Sequence, residues 1–106
     1  MSDAAAPRAD LVEVCGELLA DASREAWRAL WHRYDTALLV LKGLGADLET
    51  PGEGEERFRQ ACTNAGTSWR TVRTWAQRAA AIPAELRDPT VSVREHFKRL
   101  NAEASL

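Results

Sequence analysis

Two short helical patterns on either side of a glycine constrain the fold of this chain most strongly. The first pattern places apolar or small residues at helical spacing, at Phe58, Ala61, Cys62 and Ala65. Gly66 follows, then the capping residue Ser68, and the second pattern is marked by Val72 and Trp75. Small residues on one helix and large apolar residues on the next allow two helices to pack closely across a sharp turn. The segment is therefore predicted to form a helix-turn-helix arrangement.

The rest of the chain also carries helical patterns, so the expected fold class is all-α, a small helical domain of about five helices. Apolar residues at spacings of three and four predict helices on both sides of Ser23, which is an N-cap candidate. Ser92 and Glu95 have the spacing of a capping box and are expected to open the last helix. The expected helices span 8–20, 23–42, about 54–64 and 69–81, followed by this last helix.

The turn-rich, acidic stretch Gly45–Gly54 is the natural boundary within the chain. Residues 1–45 are expected to form an N-terminal helical arm that serves in dimerisation. Residues 46–106 are expected to form a helix-turn-helix domain with a C-terminal helix. The chain is therefore expected to divide into an N-terminal arm and a helix-turn-helix domain.

Arginines cluster in the two-helix segment, although the chain as a whole is slightly acidic, with a formal net charge of −2. The stretch 57–84 contains five arginines and no acidic residue, and the acids that precede it are Asp47, Glu49, Glu53, Glu55 and Glu56. For a nucleic-acid ligand the distribution of charge matters more than its sum. A positive surface beside a negative loop is expected, and a solvated basic face without a ligand is the alternative interpretation.

The second helix of the segment is expected to carry the residues that contact DNA. Arginine pairs bidentately with guanine, glutamine pairs with adenine, and threonine contacts the thymine methyl group. Arg57 and Arg59 are expected at the phosphate backbone. Arg70 and Arg73 are expected to contact bases. The complete set expected at the duplex is Arg57, Arg59, Thr67, Ser68, Trp69, Arg70, Arg73, Thr74, Gln77 and Arg78.

The stretch 61–99 also matches a wider pattern, in the segments 66–68 (GTS), 71–73 (TVR), 75–76 (WA), 82–83 (IP), 87–89 (RDP) and 91–96 (VSVREH). On these segments the chain resembles the helix-turn-helix DNA-binding proteins of actinobacterial phages and plasmids. It departs from that pattern in having the single proline Pro83, Trp75 in place of a tyrosine, and one histidine, His96, where two are common. The resemblance implies DNA binding and a role in gene regulation or in replication and partition.

An aromatic stripe in the expected helix 23–42 has two interpretations. Its members, at helical spacing, are Trp27, Trp31, Tyr34 and Leu38. Such a stripe most often belongs to a hydrophobic core. A chain this short offers few partners for two helices, however, and Trp and Tyr are favoured at the centres of interfaces. A homodimer formed through residues 8–42, with these four residues in the interface, is therefore predicted.

Catalysis, cofactors and metal binding are not expected. Cys15 and Cys62 are too few for a disulfide scaffold and are expected to be small buried residues. His32 and Asp35 lie three apart, but no further ligand stands at metal-binding spacing near them. No apolar stretch has the form of a signal peptide or the length of a membrane span, so a cytoplasmic location is expected.

These features predict a sequence-specific DNA-binding regulator, of phage or mobile-element type, that reads the major groove of double-stranded DNA with helix 69–81. The alternative is a helical protein-interaction module, such as a phage anti-host factor or adaptor. The overall acidity and the acidic loop 47–56 favour that alternative, whereas the unopposed arginines favour DNA.

Overall fold

The computed structural model describes residues 5–104, and their side chains from Asp10 onward. The described chain is helical and contains no strand, which confirms the all-α class. Residues 5–104 form four α-helices, where about five were expected. They are α1 (Ala5–Gly43), α2 (Glu55–Asn64), α3 (Trp69–Ala81) and α4 (Val93–Ala104), with a single 3-10 turn at Ala84–Leu86.

The helix count differs because the two helices expected before residue 43 are one continuous helix, α1. Ser23 lies in its interior and is not an N-cap. No proline or glycine interrupts the chain between Gly16 and Gly43, and the flanking alanines Ala20 and Ala22 are strong helix formers. A salt bridge between Asp21 and Arg24 spans the predicted break. Within the described residues no helix is long and apolar enough to cross a membrane.

The core lies between the second half of α1 and the helices that follow it. Leu41 and Phe58 are completely buried and pack with Cys62, Val72 and Ala76. A second cluster is formed by Trp31, Tyr34, Ala79, Ile82 and Val93. We call residues 27–104 the head and residues 5–26 the arm, because α1 enters the core only from Trp27 onward. Residues 31–41 of α1 thus pack with the helices that follow them.

The aromatic stripe of α1 belongs mainly to this core. Trp31 and Tyr34, which the sequence analysis assigned to a dimer interface, are each 3% exposed and pack inside the single chain. Trp27 is half-buried and its indole N–H donates to the carbonyl of Val91 at 2.9 Å. Leu38 is also half-buried and packs against the core. The small head uses these residues to bury enough apolar area for folding.

The C-terminal part of the head is tied to α1 by Arg87 and capped by Ser92. Arg87 donates two hydrogen bonds to the carboxylate of Asp35, at 2.7 and 2.8 Å, and its guanidinium lies 4.2 Å from the ring centroid of Trp31. The hydrogen bond from Arg87 lowers the pKa of Asp35. The Ser92 hydroxyl accepts from the Glu95 amide at 3.1 Å, which confirms the predicted cap of α4.

Candidate nucleic-acid interface

The connection between α2 and α3 is a tight turn built on Gly66. This glycine has a φ of +72°, a left-handed conformation that suits glycine because it has no β-carbon. The Gly66 amide donates to the carbonyl of Thr63 and the Thr67 amide to that of Cys62, each at 3.0 Å. This pair of bonds is the Schellman arrangement, which ends a helix and turns the chain sharply. The glycine predicted at the turn therefore occupies the position that requires it.

Helix α3 begins after Ser68, whose backbone is extended as an N-cap residue requires. The Val72 amide bonds to the Ser68 carbonyl at 3.0 Å. The Ser68 side chain makes no capping hydrogen bond and is exposed. The hydroxyl and the first amides of α3 thus lie together at the positive end of the helix dipole, where phosphates are commonly bound.

One face of the first half of α3 is open to solvent. Four side chains are exposed there, namely Ser68, Arg70, Thr71 and Thr74. Within the described chain no carboxylate forms a salt bridge with Arg70. Thr71 was missed by the sequence analysis, although its position three residues from both Ser68 and Thr74 places it on their side of the helix. The face presents one arginine and three hydroxyl groups.

Arg73, expected to read bases, points into the head instead. It is 8% exposed and forms a salt bridge with Glu55 at the start of α2. Its Nε also donates to the carbonyl of Asp47 at 3.4 Å. A residue held between α2 and the 46–48 loop cannot reach a base edge without breaking these bonds. Arg73 therefore positions α3 and does not belong to its outer face.

Glu55, the first residue of α2, links α2 to α3. Its carboxylate accepts from Arg73 and, at 2.6 Å, from Nε of Arg59. Burial by itself would raise the pKa of Glu55, but the hydrogen bonds from Arg59 and Arg73 together lower it. The carboxylate stays ionised and neutralises charge inside the head. Its negative charge is therefore balanced by the two arginines.

Trp69 forms a platform for arginines at the leading end of α3. The ring is half-buried, and the guanidinium of Arg59 lies 3.8 Å from its centroid. The guanidinium of Arg70 lies 5.0 Å from the same ring. Both distances fall within the range of cation–π attraction. Trp69 thus contacts Arg59 of α2 and two arginines of α3, because the guanidinium of Arg73 also lies 5.4 Å from its ring.

Some of the remaining residues expected at DNA are half-buried in the head, and others are exposed. Gln77 is half-buried and donates to the carbonyl of Leu48 at 2.7 Å, so it anchors the same loop as Arg73. Arg57 is exposed and donates to the Leu44 carbonyl at 3.3 Å. Arg78 is exposed and donates to the Tyr34 hydroxyl at 2.9 Å. Thr67 is half-buried beside the turn.

Comparison with protein-family models, with curated proteins and with solved structures finds no match. Three features define the chemistry of this surface. These are a positive helix start, an exposed arginine with neighbouring hydroxyls, and two further arginines on the adjoining helix.

Proposed function

We propose that this protein is a sequence-specific regulator that binds double-stranded DNA, with α2 and α3 acting as a helix-turn-helix. The exposed face of α3 carries this proposal, because it combines the exposed guanidinium of Arg70 with three hydroxyls on one helix. The tight turn at Gly66 and the absence of acids from 57–84 support it further. The resemblance of 61–99 to regulators of phages and plasmids favours a role in the genes of a mobile element.

The contacts divide between bases and phosphates. Arg70 reaches a guanine edge in the major groove, while Thr71 and Thr74 contact neighbouring bases. Arg57 and Arg59 neutralise phosphates from the side of α2. Ser68 and the first amides of α3 bind a further phosphate. The protein acts as a non-catalytic homodimer, because paired heads bind two half-sites at once.

The decisive experiment is binding to a selected duplex, measured over a range of salt concentrations. Arg70→Ala should weaken binding to the selected site by about 1–3 kcal/mol and relax base preference at one position. Arg57→Ala should weaken binding to all sequences alike and lower the salt slope by about 1. Arg94→Ala, on the exposed side of α4, is the matched control and should leave affinity and preference unchanged.

A second function is favoured by the arm, which exposes Leu11, Val12, Val14, Leu18 and Leu19 to solvent. Large exposed aliphatic side chains are characteristic of protein-binding surfaces. In this reading the chain is a helical interaction module and α3 has no nucleic-acid ligand. If no genomic fragment is retained even at about 50 mM salt, where phosphate contacts are strong, the DNA-binding proposal fails and this second function replaces it.

A further inference from the structure

The arm is a free helix whose aliphatic side chains have no partner within the described chain. Every residue from Asp10 to Ala26 is exposed. Leu11, Leu18 and Leu19 are 60%, 62% and 71% exposed. Helices gain most of their stability from packing an apolar face against other elements. The arm therefore requires a surface to cover it.

The apolar side of the arm continues along α1 past the head. At spacings of three and four it passes through the small residues Ala22, Ala26 and Ala29, which are all exposed. It then passes Arg33, whose guanidinium lies 5.1 Å from the ring centroid of Trp75, and reaches Thr36 and Val40. These residues border a groove between α1, α2 and α3. The groove has a volume of about 390 Å³ and is lined mainly by apolar side chains, among them Ala37, Val40, Ala61, Cys62, Val72 and Trp75.

Charge is distributed unequally along the same helix. Residues 10–25 contain five carboxylates and one arginine. Residues 26–43 contain three basic residues and one carboxylate, Asp35, which already pairs with Arg87. Two such helices attract each other when they run antiparallel, because each acidic half then faces a basic half. In a parallel pair the acidic halves would face each other and repel.

We propose that a second copy of this chain covers the arm, with the two α1 helices antiparallel about a two-fold axis near Ala26. This inference deepens the homodimer of the proposed function. The alignment places residues 11–19 of each copy along residues 33–41 of the other, where the open groove lies. It also sets the alanines at the centre, where small side chains let two helices approach closely.

The size of this interface suits a stable dimer. The helices overlap from about residue 11 to residue 41, which is about 45 Å of helix at 1.5 Å per residue. An overlap of this length is sufficient for the roughly 800 Å² per partner that stable interfaces bury. The contact is isologous, since the same face of both copies is used, and it therefore closes without forming fibres.

The pairing also gives the heads a spacing that fits a duplex. Helix α3 packs against α1 through residues 31–41, about ten residues from the axis at Ala26. The two copies of α3 therefore lie roughly 30 Å apart along the paired helices. Recognition helices that bind successive major grooves on one side of DNA lie about 34 Å apart.

The first test is the mass in solution by light scattering, measured without DNA. The wild-type chain should be a dimer, and Leu18→Glu should be a monomer because it places a charge in the apolar face. Ala20→Glu adds the same charge to an exposed position on the opposite side of the arm and should leave the dimer intact. Tryptophan fluorescence should show that the head is folded in both variants. A monomeric wild type, or equal masses for the two variants, overturns the proposal.

The second test asks whether the two α1 helices run antiparallel, and it uses disulfide cross-linking through the native Cys15. Cys15 is exposed, and in the antiparallel pair the two copies of this residue lie about 33 Å apart. Oxidation of the wild type should therefore give no covalent dimer. Ala26→Cys in a Cys15→Ser background should cross-link readily, because position 26 meets its own copy at the axis. Buried Cys62 is present in both proteins and does not interfere.

The cross-linking outcomes separate the alternatives. A disulfide through Cys15 indicates parallel helices and overturns the proposal. A dimer by mass that does not cross-link at position 26 overturns the register. Both measurements are made without DNA. If the protein is not a dimer, the proposal that α3 binds DNA can therefore still be tested separately. Equally, a dimer that binds no duplex would refute the DNA-binding function while supporting this pairing.

Discussion

Replacing Arg73 by alanine is the sharpest test of how the head is built, because this residue changes its role between the sequence and the structure. The side chains of Arg73 and Glu55 are only 9% and 11% exposed. Removing one partner of a buried ion pair typically costs 3–5 kcal/mol, since the other charge is left uncompensated. Glu55 keeps its bond to Arg59, so we expect a loss of about 3 kcal/mol, at the low end of that range.

The measurement is urea unfolding followed by tryptophan fluorescence, with thermal unfolding followed by circular dichroism. For a domain of this size a loss of about 3 kcal/mol lowers Tm by roughly 15 °C. The matched control is Arg70→Ala, one turn earlier on the same helix, which should stay within about 0.5 kcal/mol of wild type because Arg70 is exposed. Arg73→Met combined with Glu55→Leu should recover most of the loss, since no buried charge is left unpaired.

The reasoning is refuted if Arg73→Ala unfolds within about 0.5 kcal/mol of the wild type. A variant of normal stability that has lost base preference would return Arg73 to the outer face of α3. Arg73→Ala should therefore change stability and Arg70→Ala should change base preference. Each variant is the control for the other measurement.

The remaining predictions concern Glu55 and two glycines. The pKa of Glu55 is lower in the folded head than its ordinary value of 4.5, so its stabilisation is fully present above about pH 4.5. It is lost as the pH falls through the folded value, and Glu55→Gln should flatten this acid limb in urea titrations between about pH 6 and 3. Gly54→Ala should destabilise the head by at least about 2 kcal/mol, because its β-carbon would collide with the backbone at 44–46. Gly66→Ala has free space around the β-carbon and should cost only the left-handed strain of about 1–2 kcal/mol, so the reverse order of the two Tm values would contradict the described turn.

The helices of the head were predictable because each carries its own end signals. Pro83 follows α3, Gly66 ends the turn after α2, and Ser92 caps α4. These signals act within a few residues and can be read from the sequence. The tight turn between α2 and α3 followed from the same local chemistry.

The errors came from features that depend on distant partners. Ser23 resembles a cap, but a helix continues through a serine when no breaker follows it. Arg73 was assigned to the surface because its partner, Glu55, lies eighteen residues earlier and was interpreted only as an acid at a helix start. The spacing of Trp31 and Tyr34 is compatible with a core and with an interface, and their burial depends on residues of α3 and α4 that lie far along the chain. Thr71 was missed because the outer face of α3 was assigned around Arg73.

Because α1 is one continuous helix, its length would fix the distance between the two heads of the proposed dimer. Head and arm share one helix without a break. In the proposed dimer, a head therefore could not change its distance from the two-fold axis by bending a linker. Each turn of helix inserted between them would move a head outward by about 5.4 Å and lengthen the span of the pair by about 11 Å. That is about a third of a duplex turn. The length of α1 between the head and the two-fold axis would thus set the spacing of the two half-sites, and the residues of α3 would separately set the base preference.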